Sequence, residues 1–92
     1  MQQEDAQLIG VNALGWIASQ ETVFEAFLMN TGARPEDLRA LAGEDGFLTQ
    51  VLDFVMLQDE WVIEFASASS MAPERVVMAR AVLGHGDTRH WT

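Results

Sequence analysis

The chain has no cysteine and no lysine. The first absence excludes disulfides, thiolate zinc sites and cysteine nucleophiles. The second excludes a Walker phosphate loop and a serine–lysine catalytic pair, both of which need an amine. No G-x-S-x-G nucleophile motif occurs either. Cations are scarce: five arginines stand against fourteen acids, for a net charge of −9. Apolar runs are short, and none approaches the roughly 20 residues that span a bilayer. The opening residues, Met1-Gln2-Gln3-Glu4-Asp5, are acidic where a targeting segment is basic. A cytoplasmic protein with no membrane association is therefore expected.

What is present is apolar mass in a small frame. Ninety-two residues suit one domain. At 49% apolar, the chain can build a core without covalent staples. The acidity is uneven. Residues 1–60 hold eleven acids and two arginines, whereas residues 61–92 hold three of each. Such a surface repels phosphate backbones and anionic headgroups. It either keeps the protein soluble or faces a basic protein partner.

The stretch FLTQVLDFVMLQDEW, residues 47–61, organises the rest. Eight of its first eleven residues are apolar, and the run stops at Gln58-Asp59-Glu60. A helix apolar on nearly all sides is a buried helix, so residues 47–57 are expected to form the central one, capped by Asp45. A first helix over residues 3–18 places Ile9, Ala13, Trp16 and Ile17 on one face. Its Gly10 and Gly15 each weaken it by about 1 kcal/mol relative to alanine, or admit another helix closely. Ser19 is expected to cap a second helix, residues 20–30, with an inward stripe of Val23, Phe24, Phe27 and Leu28 and a stop at Gly32. Pro35 opens a short third helix over 35–42. Asp59 is expected to cap a fifth, 60–69, turning Trp61, Val62, Phe65 and Ala66 inward and frayed at Ser67, Ser69 and Ser70. Pro73 opens a sixth, 73–83, with Val76, Ala79 and Leu83 facing in and Gly84 as its stop. Residues 1–84 thus read as a single helical domain. Residues 85–92, without apolar period, read as a flexible tail.

A weak repeat runs through this order. Glu21-Thr-Val-Phe-Glu25 aligns with Glu60-Trp-Val-Ile-Glu64, and each is followed by Pro-Glu, at 35–36 and 73–74. Two helical pairs flanking one buried helix would form a pseudo-symmetric bundle.

Three segments in order carry a family resemblance. They are FLMNTGARPEDLR at residues 27–39, FLTQVLDF at 47–54 through Gln58-Asp59-Glu60, and Ala72-Pro73-Glu74-Arg75 through Ala81-Val82-Leu83-Gly84. Over roughly residues 9–84 the chain resembles a small uncharacterised all-helical family of alphaproteobacteria, a domain of unknown function. The resemblance implies the helical fold, a bacterial source and a cytosolic address. It implies no catalytic or binding residue.

Chemistry-bearing residues are few. Asp53, Asp59, Glu60 and Glu64 could converge for acid–base work or a divalent cation. The competing reading has Asp53 facing outward or taking a hydrogen bond from an arginine or a helix N-terminus. No EF-hand or Glu-x-x-His spacing supports a metal. His85, Asp87 and His90 make an H-x-D-x-x-H tract, but in a glycine-containing tail that implies no rigid geometry. The fifth and sixth helices, joined through Ser70-Met71-Ala72, mimic a helix-turn-helix with Arg75 and Arg80 on the second. Two arginines give few phosphate contacts against a charge of −9. The surplus of Trp16, Trp61, Trp91, Met29, Met56, Met71 and Met78 suits core packing, or an exposed apolar groove or homodimer face.

The reading is an all-α compact bundle of five to six short helices around a central buried helix. Its expected role is a non-enzymatic protein-interaction or adaptor module that needs no cofactor and binds a protein partner or itself. The expected patch is Phe27, Met29, Asp59, Glu60, Trp61 and Phe65. The alternatives are a helical nucleic-acid-binding regulator and an acidic metal-dependent site.

Overall fold

The computed structural model describes residues 1–84, and these residues are all-α. The helices are α1 (Gln3–Ala18), α2 (Glu21–Thr31), α3 (Leu38–Leu41), α4 (Asp45–Val55), α5 (Asp59–Ala68) and α6 (Glu74–Leu83). A 3-10 turn, Pro35–Asp37, leads into α3. The expected tail, residues 85–92, lies outside the described residues.

The centre of the bundle is three helices, α1, α4 and α6, each packed on the other two, with α2 laid across α1 and α4. The reason lies in α4. Phe47, Leu48, Val51, Leu52, Phe54 and Val55 are all buried, so this helix has apolar contacts on most of its circumference. It needs several neighbours to cover it. α1 supplies Ala6, Ile9, Ala13, Leu14 and Ile17; α6 supplies Val76, Ala79 and Leu83. Phe27 of α2 is fully buried and meets two α4 rings edge-on, Phe47 at 5.9 Å and Phe54 at 5.3 Å between centroids. Burial of each such aliphatic or aromatic side chain contributes about 1.5–3 kcal/mol.

Gly10 and Gly15 have different uses. Gly10 is buried, and a Cβ built on it would stand 3.0 Å from the Leu48 Cβ, so its bare backbone lets α1 approach α4. Around Gly15 there is open space.

The helix starts differ from expectation by one residue in four places: α6 begins at Glu74 with Pro73 before it as N-cap, and three other caps are displaced. Gln20, Glu44 and Gln58 hold the extended backbone of N-caps, not Ser19, Asp45 and Asp59. None of them caps with its side chain; their carbonyls accept the first intrahelical bonds from Phe24, Leu48 and Val62. Ser19 instead donates its hydroxyl to the Trp16 carbonyl at the end of α1. Asp45 and Asp59 stand inside the first turn, where a carboxylate still favours the helix dipole. Asp45 has a further task. Its carboxylate accepts from Gln3 and from Gln7 Nε2, the latter at 2.8 Å, and so ties α1 to the start of α4. Thr49, the buried polar residue of α4, donates to the Asp45 carbonyl at 2.9 Å.

The central helix is also shorter than expected. It ends at Val55, and Leu57 is 65% exposed. The end of α5 is closed, not frayed. Met71 N–H donates to the Ala66 carbonyl and Ser70 N–H to that of Ser67, with Ser70 at φ 56°. This is a Schellman closure with serine in the left-handed position where glycine is usual. The pseudo-symmetric arrangement is absent. α6 is ten residues long and penetrates the core, whereas its counterpart α3 is four residues long and has no buried residue.

Candidate interaction surface

The expected patch divides in two. Phe27 and Phe65 are fully buried and cannot be touched by a partner. Each lies at the centre of its own stripe, at i+4 from the first apolar residue, and that is the position a helix presents most directly to its neighbours. Met29, by contrast, is 87% exposed. Asp59 and Glu60 are exposed, and Trp61 is half-buried because its ring stacks on Phe54 at 4.9 Å. The structure therefore makes Trp61 an anchor for α5. A second ring contact, Trp16 to Phe65 at 6.1 Å, holds the same helix to α1.

With one face of α5 docked, another is left bare. Ile63 is 58% exposed, and across from it on α6 Val77 is 51% exposed. Between them runs an open groove of about 430 Å³. Met56, Val62 and Ile63 line one side, and Pro73 and Val77 the other. Its remaining lining residues are two acids, Asp59 and Glu74. The pattern is one of paired ridges: Asp59 and Ile63 are four residues apart on α5, and Pro73 and Val77 bear the same relation at the start of α6. Of the expected patch, only Asp59 lines this groove.

Ile63 and Val77 are the residues that sequence reasoning missed as surface. A signal was available. Ile63 falls off the Trp61, Val62, Phe65, Ala66 stripe, and Val77 falls off the Val76, Ala79, Leu83 stripe.

Among the described residues, the candidate acids do not converge. Asp53 faces outward and takes the Arg80 guanidinium: Nε donates to Oδ1 at 2.7 Å and Nη2 to Oδ2 at 3.3 Å. Arg80 is thus committed to α4 instead of standing free on a recognition helix. Among the described residues, no three histidine, aspartate or glutamate side chains come together at metal-binding separation. His85, Asp87 and His90 lie outside the described residues. No helix among the described residues is long and apolar enough to cross a membrane.

The family described as "Protein of unknown function (DUF3572)" matches residues 3–86. The chain belongs to this family. The match takes in the six helices of the described residues, so the bundle and the α5–α6 groove both belong to the DUF3572 domain. It is also longer than the stretch of roughly 9–84 over which the sequence resembles an uncharacterised helical family. No curated protein and no solved structure matches the chain.

Proposed function

We propose that this DUF3572 protein is a small protein-interaction or adaptor module of the bacterial cytosol, without catalytic activity of its own. The observation that carries this reading is the α5–α6 groove. Ile63 and Val77 stay more than half exposed on two ordered helices whose other faces are buried. Clustered apolar side chains that a fold leaves in water, rimmed by polar groups, are a common mark of a protein-binding surface. The chemistry also supports a non-enzymatic role, since the candidate acids are occupied or scattered: Asp53 is paired with Arg80, and Asp59 stands on the groove rim.

Nucleic acid is a poor fit as the partner. The net charge is −9, and Arg80, one of two arginines on α6, is paired with Asp53.

The test is an affinity pull-down from lysate of the source cell with and without nuclease and chelator, run beside an Ile63→Gln/Val77→Gln variant. A protein partner held by the wild-type chain in all conditions and lost by the variant supports the reading. Capture lost on nuclease treatment or on chelation points to nucleic acid or metal and overturns it. So does recovery of nothing in any condition, together with a strict monomer in sedimentation.

A further inference from the structure

We infer that the α5–α6 groove receives an amphipathic helix with basic side chains on its flanks, donated by another protein. The inference rests on the interaction-module reading and names the class of its partner.

Shape comes first. Two short helical ridges with apolar side chains facing a common channel match the apolar stripe of a third helix, read as anchors at i, i+3, i+4 and i+7. Met56 and Val62 lie within the channel and Ile63 and Val77 border it, so a leucine-sized anchor meets carbon on both sides. An extended strand would find no partner for its backbone here, because the described residues around the groove are helical and their amides are already bonded within α5 and α6.

Charge then selects the helix. The groove is lined by Asp59 and Glu74 and by no cation. Glu60 and Glu64 are exposed on α5 as well. The arginines nearby on α6 are Arg75, exposed beside Glu74, and Arg80, whose guanidinium meets Asp53. The local balance is therefore negative, in line with the −9 of the whole chain. A helix flanked by lysine or arginine gains from this field, both on approach and in the complex, within a Debye length of about 8 Å.

The same charges argue against a second copy as the occupant. A two-fold contact through this groove brings Asp59 and Glu74 of both copies into one interface, between two chains each carrying −9. Like charges brought together at an interface oppose it.

The probe is a fluorescein-labelled amphipathic leucine–lysine peptide, titrated against the full chain by anisotropy. Two controls accompany it: the same residues scrambled so that no apolar stripe remains, and a leucine–glutamate peptide with the stripe intact. Only the striped basic peptide is expected to bind, and its affinity should fall as salt rises. Ile63→Gln/Val77→Gln should weaken it by about tenfold or more, as loss of central apolar anchors does. Asp59→Asn/Glu74→Gln should weaken it by roughly threefold and flatten the salt dependence. Equal binding of the scrambled peptide, or unchanged binding to the Ile63/Val77 variant, overturns the inference. A sedimentation dimer that dissolves in that variant also overturns it, while leaving the interaction-module reading intact. That reading fails separately, if the pull-down recovers no protein and the chain is a monomer.

Discussion

Gly10 of α1 lies directly against Leu48 of α4, and a Cβ on the glycine would reach within 3.0 Å of the Leu48 Cβ. Gly15, five residues along the same helix, has nothing within 4 Å of such an atom. Both substitutions to alanine gain about 1 kcal/mol of helix propensity, but only Gly10 meets an overpacking cost, of about 1–3 kcal/mol. Gly15→Ala should therefore raise stability by about 1 kcal/mol, and Gly10→Ala should lower it by about 1 kcal/mol. Urea denaturation of the two variants checks the sign of each. A stabilised Gly10→Ala chain would show that α1 and α4 do not cross at this point.

Ser70 closes α5 in the left-handed region, at φ 56°. A side chain there costs about 1 kcal/mol or more, set against the greater unfolded-state freedom of glycine. Ser70→Gly should thus stabilise the fold by about 0.5 kcal/mol. Ser70→Val should destabilise it by about 1–2 kcal/mol, because a branched Cβ suits this backbone least. Thermal melts that place both variants on the same side of the wild-type chain would contradict the closure.

Leu52 is fully buried and Leu57 is 65% exposed, although both belong to one apolar run. Leu52→Ala should cost about 2–5 kcal/mol through lost burial and a residual cavity. Leu57→Ala should stay within about 0.5 kcal/mol. A Leu52→Ala loss below about 1 kcal/mol in a denaturant midpoint series means that α4 is not the core of the bundle.

Asp53 and Arg80 join α4 to α6 through two hydrogen bonds, with side chains 50% and 30% exposed respectively. Solvent screening keeps the coupling small, and a double-mutant cycle with Asp53→Asn and Arg80→Gln should report about 0.5 kcal/mol, falling with salt. Gly84 bears on the same pair. A Cβ there would collide with the Arg80 guanidinium, so Gly84→Ala should turn that head group away from Asp53. The coupling measured in the Gly84→Ala background should then vanish.

The groove residues make a contrast with the core. Ile63→Gln and Val77→Gln remove no buried contact and should each change stability by less than about 0.5 kcal/mol. If either one melts the chain by several degrees, the side chain is part of the fold and the groove is not a free surface.

Much of the fold was legible because it rests on local patterns. The inward stripes of α1, α2 and α6 follow helical spacing, and Gly32 ends α2 at φ 74°, as a glycine stop does. The errors share a cause. Ser19, Asp45 and Asp59 have the chemistry of N-caps, but Gln20, Glu44 and Gln58 took those positions. Where a helix begins is decided by how its apolar face docks, and capping preference of about 1 kcal/mol yields to that. Phe27 and Phe65 stand both in inward stripes and in the expected patch, and burial settles them as core. Phe27 packs on two α4 rings and Phe65 on Trp16 of α1, while Ile63 and Val77, off the stripe, were left in water.

Composition, periodicity and the missing residue types determined the class of molecule. They specify a helical domain with an acidic surface, built around residues 47–57 and without thiol or amine chemistry. The tertiary structure alone decided which apolar residues remain exposed. Exposure depends on what lies across from a side chain, and Met56, Ile63 and Val77 come from the end of α4, from α5 and from α6. Likewise, only the packed bundle could show that Arg80 meets Asp53 and that Gly10 meets Leu48, because each pair is set by the placement of whole helices and not by the residues beside it in the chain.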